Sequence, residues 1–171
     1  IGAHDRAAVD MVAVRVTGPV KLAAVASPSY LALRKKPRNP DDLAHHRCVQ
    51  YRLGADGPVL EWPFVREGQS QRIAVEGRVM VNNPELAIRA AVDGLGIALT
   101  IEALAEPFLR SGEVVRVLDE WSPCLEGLYL YYPSNRQMPA ALRALIDMIR
   151  VNNGQSAALR SIENPFTAAA V

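Results

Sequence analysis

The segment from 79 to 118 constrains the fold of this chain more than any other part of its sequence. Within it, an apolar strand precedes a helix that begins at Asn83-Pro84 and ends at Gly94-Leu95-Gly96, and a second strand, Ile97–Thr100, follows. Proline in the first turn and glycine after the last turn are common helix boundaries. A strand–helix–strand unit of this length can cover both faces of a parallel sheet. The segment therefore predicts an open α/β domain.

The remaining secondary structure is predicted from apolar patterns and turn residues. The apolar run Val20–Ala26 predicts a strand covered on both faces. Leu60–Val65 and Arg72–Val81 flank a Glu67-Gly68-Gln69 turn, which predicts a hairpin. One apolar face predicts a helix over Pro139–Val151, ended by an Asn-Asn-Gly stop at 152–154. Shorter strands are predicted at Met11–Val16, Cys48–Leu53, Val114–Leu118 and Gly127–Tyr132, and short helices at Pro28–Leu33, from Pro40 to about His46, and at Ala103–Arg110.

The charge balance bears on which partners the chain binds. Its 171 residues include 19 basic and 18 acidic side chains, which leaves a formal net charge of +1. No block of like charge stands out along the sequence. A protein that binds phosphate backbones usually concentrates basic residues. The composition therefore predicts that this segment does not bind DNA by itself.

The cysteines and the lack of a signal-peptide pattern predict the cellular compartment of the protein. Cys48 and Cys124 lie far apart and outside any C-x-x-C pair, which favours free thiols in a reducing compartment, although a disulfide stays open at this stage. No apolar run approaches the roughly 18 residues of a membrane helix, and the first residues lack a signal-peptide pattern. We expect a cytoplasmic protein with no membrane partner. The start at Ile1, without methionine, predicts a fragment of a longer chain.

The residue patterns do not indicate catalysis or metal binding. His45-His46-x-Cys48 supplies at most three adjacent metal ligands, and a helix end followed by a strand explains it better. Ser27 does not lie in a G-x-S-x-G motif. Gly94-Leu95-Gly96 ends a helix instead of opening one, so it is not a dinucleotide fingerprint. We expect no enzyme, no metal and no cofactor.

Several short matches to one family occur in order along residues 10–150. They read DMVAVRV at 10–16, KLAAVASPSYL at 21–31, PDDL at 40–43 followed by HRCV at 46–49, NNPELAIRAAVDGLGIAL at 82–99, and PSNRQ at 133–137 followed by PAALRALID at 139–147. Together they resemble the effector-binding domain of LysR-type transcriptional regulators.

The resemblance implies a fold and a division of the chain. The expected fold is α/β and similar to a type 2 periplasmic binding protein, a mixed sheet with helices on both faces. One complete subdomain is expected at 20–126, and part of a second at 1–19 and 127–151. Residues 152–171 are expected to form a flexible tail. The family's N-terminal helix-turn-helix and the first part of subdomain I are expected to be missing.

The resemblance also implies a function. The chain is expected to sense a small polar or carboxylate effector between its subdomains, to form a homodimer or homotetramer, and to act on DNA only through a helix-turn-helix outside this chain. The apolar helix Pro84–Asp93 is a hypothetical contact between copies. The alternative is a solute-binding protein of a transporter, which shares the architecture.

Candidate ligand-binding residues follow from where strands end and helices begin. In open α/β folds, ligands bind outside the carboxyl ends of strands, where helix starts favour anions. The simpler alternative is that the serine and asparagine merely cap their helices, and that the tyrosine and arginine lie in a surface loop. The predicted ligand-binding residues are Ser27, Ser29, Tyr51, Arg52, Asn83 and Thr100.

Overall fold

The chain divides into two compact units. In the computed structural model, residues 11–52, 57–133 and 138–156 are described, the last seven of them by backbone alone. The first unit combines Ile1–Val20 with Cys124–Val171, and the second is the continuous stretch Lys21–Pro123. The predicted end of a strand at Leu53, the match at 134–137 and the tail beyond 156 lie outside the described residues.

The first unit is built on a two-stranded antiparallel ribbon. Strand β1, Met11–Arg15, pairs with β10, Tyr129–Pro133, and helix α4, Ala140–Ser156, packs on β1. Of the predicted apolar face, Ile146 is buried, whereas Leu145 is 44% exposed. The stop predicted at 152–154 is wrong, because α4 continues through it to Ser156. Strand β9, Cys124–Leu125, completes the described elements of this unit.

The second unit carries most of the described strands and helices. The strands are β2 (Val20–Ala26), β3 (Val49–Tyr51), β4 (Trp62–Arg66), β5 (Gln69–Ile73), β6 (Val79–Val81), β7 (Ala98–Ile101) and β8 (Val115–Val117). The α-helices are α1 (Pro28–Ala32), α2 (Pro84–Val92) and α3 (Glu102–Ser111), and short 3₁₀ helices span Pro40–His45 and Asp119–Trp121.

The sheet of the second unit is mixed, with β2 running against its neighbours. β2 pairs antiparallel with β7 on one side and with β8 on the other. β3 pairs parallel with β6, and a parallel bridge between Cys48 and Ile97 places β3 beside β7. The Val49 N–H donates to the Ile97 carbonyl at 2.8 Å there. The strands β6 and β7 of the strand–helix–strand unit therefore run parallel, as predicted. The sheet as a whole is mixed, because β2 runs antiparallel to its neighbours.

Alternation along β2 divides the core of the second unit between the two faces of its sheet. Ala24 and Ala26 face a cluster that includes Trp62 and Phe64. Ala23 and Val25 face a second cluster, which contains the small residues of α2 and α3. Alternate side chains of a strand point to opposite faces, so burial on both sides requires a continuous apolar run. The prediction that β2 is covered on both faces is confirmed.

Helix α2 ends where Gly94 predicts that it should. Asp93 caps α2, and Gly94 follows with φ of 73°. The Gly94 N–H donates to the Ala91 carbonyl at 3.1 Å, and the Leu95 N–H donates to the Ala90 carbonyl at 3.0 Å. These two bonds form a Schellman motif, which satisfies carbonyls that the end of a helix leaves free.

The predicted hairpin is present, but the strand after it is shorter than predicted. β4 and β5 join through Glu67 and Gly68, both with positive φ. The expected strand Arg72–Val81 is two strands, β5 and β6, separated by 74–78. Within that break the Cys48 N–H donates to the Glu76 carbonyl at 2.8 Å. The chain thus leaves the hairpin and joins the main sheet beside β3.

In the described part of the chain, α-helices are too short or too polar to cross a membrane.

Gly96→Ala tests the contact between β3 and the start of β7. An alanine Cβ at this position would overlap the backbone carbonyl of Arg47. We expect a loss of about 1–3 kcal/mol in the free energy of unfolding, the usual cost of overpacking, measured by urea denaturation. Gly18→Ala is the control, since nothing lies within 4 Å of its Cβ position. Equal stability of the two variants would contradict a close approach at Gly96.

Candidate functional site

The direction of β2 separates the six predicted ligand-binding residues into two groups. β3, β6 and β7 end at one edge of the second unit's sheet, which we call the carboxyl edge, whereas β2 ends at the other, the amino edge. Thr100 lies opposite Ala23 in the register of β7 and β2, and Ser27 is four residues further along. At roughly 3.3 Å per residue that is about 13 Å. The structure therefore does not bring Ser27 and Ser29 together with the other four predicted residues.

Ser27 and Ser29 have a structural role at the amino edge. The Ser27 hydroxyl accepts a hydrogen bond from the Tyr30 N–H at 3.3 Å, which caps α1. The Ser27 and Ser29 hydroxyls lie 3.0 Å apart. Ser27 is 3% exposed, so its hydroxyl is held inside this corner of the fold. The simpler alternative, that Ser27 caps its helix, accounts for its contacts.

The carboxyl edge brings the other four predicted residues to neighbouring strand ends. Tyr51 ends β3, and its hydroxyl donates to the Asn82 carbonyl at 3.1 Å. The Arg52 N–H donates to the Val81 carbonyl at 2.8 Å, which extends the pairing of β3 with β6 by one residue. Neither residue lies in a free surface loop. Both are tied to the strand that leads into α2.

Asn83 fixes the start of α2. Its side-chain carbonyl accepts hydrogen bonds from the Glu85 N–H at 2.8 Å and the Leu86 N–H at 3.2 Å. An asparagine cap of this kind stabilises a helix by about 1 kcal/mol. The positive end of the α2 dipole is thereby held at the carboxyl edge. Capping accounts for the contacts of Asn83, so any role in ligand binding is additional.

Thr100 has an unsatisfied hydroxyl at the same edge. The residue is 4% exposed, and its Oγ1 makes no hydrogen bond with the part of the chain that the structure describes. It shares its face of β7 with Ala98, which packs in the cluster of α2 and α3. A buried hydroxyl without a partner costs about 1–3 kcal/mol. The environment of Thr100 therefore favours a further polar partner.

A network of charged side chains at the carboxyl edge was missed by the sequence reasoning. Glu102, the first residue of α3, contacts Arg116 of β8 and lies 3.6 Å from the Lys21 ammonium. Asp119 lies 3.5 Å from Lys21 and 3.6 Å from Arg116. The hydrogen bond that Arg116 donates to the Glu102 carboxylate is the main cause that raises the pKa of Arg116. A signal was present in the sequence, because Lys21 interrupts an otherwise apolar strand. Glu102 also lies one turn before Glu106, whose carboxylate is 3.6 Å from Arg116.

The histidine and cysteine weighed as metal ligands are engaged in packing. Tyr30 Oη lies 3.2 Å from His46 Nδ1 and accepts a hydrogen bond from the Arg47 N–H at 2.9 Å. Burial is the main cause that lowers the pKa of His46 and that raises the pKa of Tyr30. Burial also raises the pKa of the Cys48 thiol to about 12, which keeps it protonated at neutral pH. These groups stabilise the join between α1 and β3.

Comparison with known proteins decides the family. The sequence model described as LysR substrate binding domain matches residues 3–153. The chain belongs to this family. It is an effector-binding domain of the LysR type, and it has the periplasmic-binding-protein type 2-like fold that the sequence resemblance implied. The predicted family and fold class are confirmed.

Curated relatives of this LysR domain are named as transcriptional regulators. A putative transcriptional regulator of Pseudomonas aeruginosa is 38% identical over 141 residues, which cover 82% of this chain and 46% of that protein. The HTH-type transcriptional regulator PgrR of Escherichia coli is 33% identical over 141 residues, covering 82% of this chain and 47% of that protein. The LysR domain thus spans just under half the length of these relatives.

Solved structures agree with the family assignment. The full-length virulence activator AphB of Vibrio cholerae superposes with a TM-score of 0.69 at 26% identity, covering 85% of this chain and 49% of that one. The regulatory domain of AphB from Vibrio vulnificus gives a TM-score of 0.67 at 26% identity, covering 86% of this chain and 71% of that one.

Glu102→Ala tests the charged network. Its carboxylate is 26% exposed and contacts two cations, so its removal leaves both without that partner. We expect a loss of about 1 kcal/mol in the free energy of unfolding at low salt, and a smaller loss at high salt because ions screen partly exposed pairs. Urea denaturation at two salt concentrations measures this. Glu76→Ala, at an exposed position, should change stability by less than about 0.5 kcal/mol. A loss that does not respond to salt would argue against an ionic role.

Proposed function

We propose that this domain is the sensor of a LysR-type transcriptional regulator and that it binds a small carboxylate or other polar organic effector at the carboxyl edge. Binding would favour one state of the regulator's oligomer over another and so change how its DNA-binding module is presented. DNA contact belongs to a helix-turn-helix outside this chain. The regulator acts in the cytoplasm, without a cofactor and without catalysis.

The buried hydroxyl of Thr100 is the observation that carries the proposal. A ligand oxygen that reached it would remove the cost of an unsatisfied polar group. The same edge holds the N-terminal end of α2, where the helix dipole favours a negative charge. Both features suit a carboxylate better than an apolar ligand.

The other residues of the carboxyl edge supply shape and charge. Asn83 orients the first turn of α2 through its cap, and Tyr51 lies beside it through its bond to Asn82. Arg52 follows directly on β3 and adds a cation to this edge. In the proposal these three residues orient the effector, and Thr100 anchors it.

A regulator is favoured over the solute-binding protein of a transporter. Both classes share this architecture, so the fold alone does not separate them. The relatives cited above are named as transcriptional regulators. We therefore retain the regulator as the proposed function of the longer protein.

Thr100→Val separates ligand binding from stability. The substitution keeps the shape of the side chain and removes the unsatisfied hydroxyl. Without ligand we expect unchanged or slightly higher stability. With an effector we expect the ligand-induced rise in Tm to disappear. The measurement is a thermal-shift series with benzoate and succinate, each compared with its amide.

The controls for this test lie in the same unit. In the parent chain, a carboxylate at a hundred times its Kd should stabilise by about 2.7 kcal/mol, and its amide should not. Ser29→Ala, at the amino edge, should keep the full shift. A Thr100→Val variant that keeps the shift, or a Ser29→Ala variant that loses it, would place the ligand elsewhere.

The proposed oligomer includes α2 as a contact between copies. Leu86 of this helix is 56% exposed, although its neighbours Ala87 and Ile88 are buried. We expect the chain to form a dimer or tetramer and Leu86→Lys to shift it toward monomer, because a charge at an apolar contact is costly to bury. Size-exclusion chromatography with light scattering measures the mass. Leu33→Lys is the control, since Leu33 is 82% exposed beyond α1. A monomeric parent, or an equal effect of both variants, would rule out this contact.

A further inference from the structure

A cavity of about 1190 Å³ opens on the second unit, away from Thr100. Two stretches of chain line it, 34–46 after α1 and 118–121 after β8. Leu118 and Trp121 pack on the cluster that contains Trp62 and Phe64, whereas Thr100 shares its face with Ala98 of the other cluster. We call this cavity the basic groove. It lies on the opposite face of the sheet from the Thr100 side chain.

The acidic residues of the basic groove are already engaged by other parts of the unit. Each carboxylate lies within hydrogen-bonding or ion-pairing distance of a donor. These contacts are Asp42 with the Arg38 N–H at 2.7 Å and the Asn39 N–H at 3.2 Å, Asp119 with Lys21 at 3.5 Å and Arg116 at 3.6 Å, and Glu120 with Arg66 at 3.1 Å. Their negative charge is therefore partly compensated before any ligand arrives.

The basic residues of the groove are not compensated in this way. Among the residues that the structure describes, no carboxylate forms an ion pair with Lys35, Lys36 or Arg38, and all three are exposed. Arg34 stacks on the Tyr30 ring at 4.7 Å, a contact that leaves its charge in place. Four positive charges thus surround one cavity in a chain whose formal net charge is only +1.

The far wall of the groove adds polar groups and local strain. Trp121 lines it, and its Nε1–H is buried without an acceptor in the described part of the chain. Leu118 has φ of 55°, which a leucine rarely adopts. Such strain is retained where the surrounding structure enforces it, often at binding sites. His45 and His46 complete the lining with two imidazoles.

We propose that the basic groove is a second ligand site, which takes a small organic polyanion such as a phosphate ester or a polycarboxylate. Its volume of about 1190 Å³ is slightly above the roughly 300–1000 Å³ of most small-molecule sites. Phosphate backbones are usually met by cations spread along a face or a helix, whereas these cations surround a concavity. Lysine and arginine side chains around a pocket favour multiply charged anions over singly charged ones. A second anion here would act beside the effector proposed at the carboxyl edge.

Isothermal titration of the 171-residue chain with pyrophosphate and with citrate tests the site. The parent chain should bind both, more weakly in about 0.5 M than in 0.05 M salt. The combined variant Lys35→Gln, Lys36→Gln, Arg38→Gln should lose at least about tenfold in affinity. The control, Arg78→Gln, Arg110→Gln, Arg143→Gln, changes the net charge equally at exposed positions outside the groove. It should stay within about twofold of the parent.

Glu120→Gln tests the same site in the opposite direction. It removes a negative charge from the groove lining and releases Arg66, so affinity for pyrophosphate should rise by about threefold. Melting curves of every variant establish that each is folded, and Lys36→Gln alone replaces the triple variant if that one is not. Failure of the parent to bind either anion would overturn the proposal, as would equal losses in the two triple variants. Binding of a short DNA duplex in place of both anions, lost in the groove variant, would also overturn it. The proposed effector at Thr100 is unaffected by any of these outcomes.

Discussion

The fold of the second unit depends on β2, a central strand buried on both of its faces. Ala23 and Val25 pack toward α2 and α3, and Ala24 and Ala26 pack toward the hairpin and the 3₁₀ helix at Pro40–His45. Small side chains on both faces allow the flanking layers to approach the strand closely. Since its neighbours β7 and β8 both pair with it, β2 also sets their register. The residues that β7 and β8 place at the edges of the sheet are therefore positioned through this strand.

The direction of β2 also explains why the predicted ligand-binding residues lie at two edges of the sheet. An apolar run, a helix cap and a glycine after a helix are local signals. They correctly predicted β2, the start of α2 and the end of α2. Whether a strand runs parallel or antiparallel to its neighbour depends on pairing between distant segments, which periodicity does not report. Ser27 and Asn83 look alike in sequence as caps before a proline. They lie at opposite edges because their strands run in opposite directions.

Long-range contacts account for the other features that the sequence did not reveal. The charged network joins Lys21 near the start of β2, Glu102 at the start of α3 and Arg116 in the middle of β8. The basic groove joins residues near 35 to residues near 120, and the balanced total charge hides its local excess of positive charge. Composition predicts only that this segment does not bind DNA by itself. A sum over the chain does not report how charges are arranged once the chain is folded.

The two units differ in how they use the chain, and this difference affects the order in which they fold during translation. The second unit is one uninterrupted stretch, Lys21–Pro123, whereas the first unit takes strands from both ends. β1 emerges from the ribosome well before its partner β10, about 120 residues later. We therefore expect the second unit to complete its core during translation, before β10 is available to pair with β1. Closing that ribbon joins distant parts of the chain, and contacts of that kind generally form slowly.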